Sequence, residues 1–219
     1  MAFSPFTAGL FTAGQILTAA QMNTYIRDNI MAGGPVYATE AARNADIPSP
    51  YEGQRAYITG STETSAAGLI TAIPTGIQTI YNGAGWVTVT ATGGQTATAG
   101  TTTSGVFAAL TGGGTNPTAT LRTGTTALIS LSSVRFNTGA NAMYFTFGVT
   151  GATTILPGTG TAGSFNSITN TAAPTSSTGG QYGVITGLTA GVNIFTLSYA
   201  TAGGTGTFQD RFITVQGIA

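Results

Sequence analysis

The side chains able to do covalent or acid–base chemistry are few. The 219 residues include six arginines and six carboxylates, but no lysine, histidine or cysteine. That removes an imidazole base, a thiolate and an ammonium, and with them the serine triad, cysteine proteases, serine–lysine dyads and ordinary zinc sites. What remains is a carboxylate pair of the kind glycosidases use, with Asp46, Glu52 and Glu63 as the candidates. They lie in a Pro-rich loop and a small β unit, away from any evident cleft, and surface ion pairs with Arg43 and Arg55 are the preferred reading.

Other motifs lack their context. Gly158, Gly160 and Gly163 match G-x-G-x-x-G, yet no helical segment follows and no acid lies about twenty residues on. A phosphate loop of the Walker type needs a lysine. No D-x-D or EF-hand spacing marks calcium, and the scattered arginines build no patch for nucleic acid. Tyr81 and Trp86 have rings that can stack on a sugar, but hairpin positions favour core. Asp210 and Arg211 are neighbours on one strand, so they face opposite ways; both are expected to reach solvent at a sheet edge, with a contact to Arg135 or across subunits as the alternative. The reading assigns no catalytic residue, metal or cofactor.

Charged residues make up 5% of the chain and the formal net charge is zero, against about 25% in ordinary proteins. Such an exterior associates readily, so most of the surface is expected to be covered by copies of the chain or by a larger assembly. The longest apolar run, Ala142–Val149, is too short to span a bilayer, and no membrane insertion is expected. The first residues lack a positive n-region, so no signal peptide is expected either.

The elements behind these residues are mainly β. Residues 1–15 form an apolar arm, with Phe3, Phe6 and Phe11 expected to dock on a partner. Thr18 and Gln21 make a capping box, after which Met22, Tyr25, Ile26 and Ile30 form one helical stripe that Gly33-Gly34-Pro35 ends. That stripe needs a partner, either equivalent stripes about an axis or the chain's own β module. Residues 1–35 are thus an attachment and oligomerisation segment, and 36–90 a small β unit. Its expected strands are 54–59, 77–81 and 86–90, with a hairpin turn at Asn82–Gly85, a core around Trp86, and a loop or weak strand (69–73) within residues 61–76. Residues 91–105, nearly all Thr, Gly and Ala, read as a linker.

Residues 106–219 read as an antiparallel β-sandwich of the jelly-roll kind. Strands are expected at 106–110, 118–122, 126–136, 142–150, 153–156, 183–188, 192–199 and 207–218, the last three as consecutive antiparallel neighbours. Met143, Phe145, Phe147 and Val149 alternate cleanly, whereas the 126–136 strand changes parity, which predicts a bulge near Ser132-Ser133. In the final strand Phe208 and Phe212 share one parity, Ile213 and Val215 the other, so both faces need cover and a neighbouring subunit is expected to supply one.

The segment GQILTAAQMNTYIRDNIMA resembles an N-terminal signature of tailed-bacteriophage virion proteins. RNADIPSPYEGQRAYITG with YNGAGWVTV resembles the small β unit that follows it there, and GLTAGVNIFTLSYATAGGTGTFQDRFITV is similar to their C-terminal jelly-roll head, shaped like tumour-necrosis-factor trimers. The resemblance implies a homotrimeric virion component, a fibre or tip of the tail or a fibre or decoration of the capsid, with other virion proteins as partners. It brings no catalytic residues. A second possibility is an adhesin whose C-terminal loops, such as 151–180, bind a host-surface glycan.

Overall fold

The computed structural model describes residues 34–60, 76–139, 141–160, 167–170 (backbone) and 176–219. The expected arm, the helix after Thr18, the 69–73 strand, Glu63 and Gly163 lie outside these residues. Within them the chain runs β1 (Val36–Tyr37), α1 (Glu40–Asp46), β2 (Arg55–Ile58), β3 (Ile77–Tyr81), β4 (Trp86–Thr88), β5 (Thr92–Thr96), β6 (Gly100–Thr102), β7 (Thr118–Thr123), β8 (Thr126–Asn137), β9 (Ala142–Gly151), β10 (Ser167–Asn170), β11 (Ser177–Thr186), β12 (Gly191–Thr201) and β13 (Gly206–Ile218).

The small unit is a β1-β2-β3-β4 sheet, parallel at β1–β2 and antiparallel elsewhere. Helix α1, which the sequence reading did not anticipate, carries its own signals. Thr39 caps it by accepting from the Ala42 N–H at 3.1 Å, and Glu40 sits in the first turn. It stops at Ile47 because the following Pro48 disfavours a helical conformation there.

The larger part is a jelly-roll β-sandwich, and its pairing shows why. One sheet runs β11-β8-β13-β5, the other β10-β9-β12-β7, with β6 also on β13. The pairs nest: β5 with β13, β7 with β12, β8 with β11, β9 with β10. A single antiparallel ribbon folded over on itself produces that nesting, with the chain crossing between sheets at every step except β5 to β6 and β9 to β10. The last three strands, expected to be consecutive antiparallel neighbours, are therefore not paired with one another: β11 joins β8, β12 joins β9 and β7, and β13 joins β8. Pleat parity tells which face a residue takes, not which strand lies beside it.

The inward faces make one core. Met143, Phe145, Phe147 and Val149 of β9 and Phe195, Leu197 and Tyr199 of β12 meet Ile129 and Leu131 of β8 and Phe208, Ile213 and Val215 of β13. Tyr199 and Phe208, on opposite sheets, lie 5.0 Å apart by ring centroid, and each buried ring or branched chain contributes about 1.5–3 kcal/mol.

Residues 92–96 and 100–102, expected within a linker, are strands at the sheet edge. Their glycines are small by necessity: a Cβ on Gly94 would sit 2.7 Å from the Thr118 backbone nitrogen. An edge held by backbone bonds needs little apolar side chain, so composition alone conceals it. The expected 106–110 and 153–156 strands reduce to single bridges, Ala108 with Tyr199 and Ile155 with Val149.

The expected bulge exists at the right level but on the other strand. Gln209 pairs Val134 and Phe212 pairs Ser132, so β13 holds the extra residue while β8 stays regular. Asp210 takes φ +48, a left-handed value Asp tolerates better than most residues. The bulge flips parity within β13, which brings Phe208 onto the inner face with Ile213 and Val215. Phe208 is thus fully buried in its own chain, a correction to its expected place at a subunit contact, and only Phe212 faces outward.

The small sheet is fixed to one end of the sandwich. Gln216 donates through Nε2 to the Val89 carbonyl at 2.8 Å. Gly217 permits the close approach, since a Cβ there would stand 2.6 Å from both the Thr88 oxygen and Val87 Cγ1.

Candidate functional surface

The catalytic candidates are not brought together as a described pair. Asp46 ends α1 and accepts from the Tyr37 hydroxyl at 2.8 Å. Glu52 is exposed beside the β3–β4 turn, near Gly83, and Glu63 is outside the described residues. Arg43, expected in a surface ion pair, is instead buried. Its guanidinium lies 4.3 Å from the centroid of Trp86 and donates to Thr79 Oγ1 at 3.1 Å and to Asn44 Oδ1 at 3.1 and 3.0 Å. Stacking of this kind contributes about 0.5–2 kcal/mol. Trp86 in turn meets Tyr81 edge-on at 5.7 Å, so both rings serve the small core, as their hairpin positions suggested.

The sandwich interior holds two further cations. The parity flip at the bulge sends Asp210 to solvent and Arg211 inward, where the sequence reading had both exposed. Arg211 donates to Asn116 Oδ1 (3.3 Å), Tyr199 Oη (3.5 Å), the Thr98 carbonyl (3.2 Å) and the Gly113 carbonyl. It ties the edge strands and the 111–116 turn to both sheets. Arg135 lies over Phe145 at 4.7 Å, and burial pulls its guanidinium down to about 10. These groups are structural: they face the core, not a cleft.

Two phenols carry a pH consequence. Burial, with the Asp46 hydrogen bond and charge added, raises Tyr37 far above its ordinary value; burial raises Tyr199 likewise, partly offset by Arg211. Both stay protonated in the fold while the unfolded chain ionises near pH 10, so stability is retained below that value and lost above it. The depressed Arg135 works in the opposite sense, but two phenols outweigh one guanidinium. The urea midpoint is expected to fall between about pH 9 and pH 11; a flat profile would contradict the burial of both hydroxyls.

Exposed apolar side chains gather on the outer face of the β11-β8-β13 sheet. Tyr182 is 85% exposed, Val184 52%, Ile218 41% and Leu128 40%. Val184 stands directly opposite Leu128, Tyr182 opposite Ser130, and Ile218 one row away opposite Thr126. Phe212 shares this face, half-buried, opposite Ser132. The remaining outward residues on these strands are Thr, Ser, Gly, Gln, Val and Phe, so no charged side chain stands on this face of the regular ladder. Of the expected contact residues, Phe3, Phe6, Phe11, Met22, Tyr25, Ile26 and Ile30 lie outside the described residues, Phe208 is core, and Phe212 is on this face. Sequence reasoning missed Tyr182, Val184, Leu128 and Ile218. The available signal was parity: Tyr182 and Val184 alternate against Ile185, and Leu128 against Ala127 and Ile129.

No protein-family model matches the chain, and no curated protein matches it. Among solved structures it is similar to Eiger TNF from S. frugiperda, with 10% identity, TM-score 0.38, covering 59% of this chain and 92% of that one. It is also similar to a mutant VP2 protein of infectious bursal disease virus in derived T=1 particles, with 13% identity, TM-score 0.43, covering 77% and 51%. A third similarity is to an Arthrobacter globiformis T6 isomalto-dextranase complexed with panose, with 16% identity, TM-score 0.32, covering 57% and 23%. The chain spans about half the length of the VP2 protein.

Proposed function

We propose that the chain is a non-enzymatic structural component of a tailed-bacteriophage virion, a homotrimer attached through its N-terminal part with the jelly-roll head displayed. The observation that carries this reading is the apolar face of β11, β8 and β13, whose regular ladder carries no charge, Asp210 standing out at the bulge. Such a face meets a copy of itself without stripping water from an ion or needing an opposite charge to answer it. A chain with 5% charged residues, of which Arg43, Arg135 and Arg211 are buried, supports covering by identical chains over a solitary life in solution. The resemblance of the 14–32 segment to a virion signature supplies the setting. Tail fibre or tip and capsid fibre or decoration both fit it.

An adhesin would need rings and carboxylates converging on its loops. Of the loops expected to do this, the described residues 151–160 carry no aromatic ring and no carboxylate, and the turns at 138–139 and 202–205 are Thr, Gly and Ala, so passive architecture is the reading adopted. The mass of the purified full chain in solution tests it: three times the 21.8 kDa of one chain is expected. A stable monomer at micromolar concentration would overturn the trimer, and absence of the protein from purified particles would overturn the virion assignment.

A further inference from the structure

We infer that Asn82 is a self-modifying site, a place where the chain ages by losing side-chain ammonia. The β3–β4 loop is Asn82-Gly83-Ala84-Gly85, closed by the Tyr81–Trp86 pair. Asn82 donates its N–H to the Gly85 carbonyl at 3.0 Å, and its Oδ1 accepts from the N–H groups of Ala84 (3.2 Å) and Gly85 (2.9 Å). These bonds leave the Gly83 N–H out. Gly83 is exposed, with φ +87, and bears no Cβ to hinder its nitrogen.

That arrangement suits one reaction. The Gly83 nitrogen, giving its proton to water or hydroxide, attacks Asn82 Cγ. The new N–Cγ bond closes a five-membered ring, the Cγ–Nδ2 bond breaks, and the amide leaves as ammonia. Water then opens the ring at either carbonyl, giving an ordinary or an iso-linked aspartate. Two N–H donors already point at Oδ1, where negative charge develops in the tetrahedral intermediate, the arrangement that lowers such barriers elsewhere.

The position gives the change an effect. The Asn82 amide lies against the β7–β8 turn, with Nδ2 2.9 Å from where a Gly124 Cβ would be, and Glu52 Oε2 stands 3.6 Å from where a Gly83 Cβ would be. The product puts a second carboxylate near Glu52, and the iso-linkage lengthens the backbone of the turn by one atom. Both loosen the joint between the small sheet and the sandwich. This inference stands apart from the trimer reading.

The test is to hold the purified full chain at mildly alkaline pH in water of heavy oxygen, folded and in urea. Cleavage after arginine isolates the stretch between Arg55 and Arg122, and fragmentation locates the amide-to-carboxyl change. The folded chain is expected to convert at Asn82 at least about tenfold faster than the unfolded one, a modest fraction of what one oriented donor achieves in an enzyme. Asn116, Asn137, Asn141 and Asn193 should lag behind. Equal or slower conversion in the folded chain, or earlier conversion at another asparagine, would overturn the inference. The Asn82→Asp variant, as a mimic of one product, should unfold at lower temperature; unchanged stability would overturn the proposed effect on the joint.

Discussion

On the proposed trimer, replacing Leu128 with Glu and Val184 with Asp is expected to give single folded chains. The two side chains stand opposite each other on the exposed face, so the variant places two carboxylates where copies would meet. An unpaired charge buried at a contact costs about 2–5 kcal/mol, and like charges side by side add to it. At each contact the dissociation constant should rise by a factor of about a thousand or more. Both side chains point away from the sandwich core, so circular dichroism and the urea midpoint should hardly move. Mass in solution is the readout. A trimer that survives both charges would show that copies meet elsewhere, while a wild-type monomer would undo the trimer itself.

Arg211→Met is expected to cost about 2–4 kcal/mol of folding stability, since a buried acceptor left unpaired costs about 1–3 kcal/mol. A buried cation is often replaceable by an apolar side chain when its partner goes with it. Here the partners stay: the carbonyls of Thr98 and Gly113, Asn116 Oδ1 and the Tyr199 hydroxyl would be left buried with one bond fewer. The loss corresponds to a fall of about 1–3 M in the urea midpoint at an ordinary slope. Lysine at 211 should recover part of it, having three donors on a thinner head. Full stability in the methionine variant would mean the guanidinium is tolerated and not needed.

What was legible in the sequence followed from strict alternation. Met143 to Val149 and Phe195 to Tyr199 announced their buried face, and Asn82–Gly85 announced its hairpin. The same parity reading misplaced the bulge. The inner face of β8 turns polar at Ser133, Arg135 and Asn137, all buried, and a search for alternating hydrophobes reads that as a break in β8. The actual extra residue, on β13, is invisible until the two strands are paired. Strands β5 and β6 hid for a different reason, because Thr and Gly at an edge look like spacer. The exposed apolar face was half legible: Phe212 drew notice from its parity, whereas Tyr182 and Val184 sit in a strand whose glycines lowered its apparent order. Phe208 was misassigned through the undetected bulge alone.

The nesting of β5 against β13 has a mechanical side. The first and last strands of the head are zipped to each other, with Thr92 beside Val215 and Thr96 beside Arg211, and β13 is hydrogen-bonded to β8 along its other edge. Tension arriving from the N-terminal side therefore meets a closed seam backed by the β8–β13 ladder, the longest among the described residues. Because β5 and β13 run antiparallel, with the start of one beside the end of the other, such tension loads the seam one residue pair at a time, beginning at Thr92 and Val215.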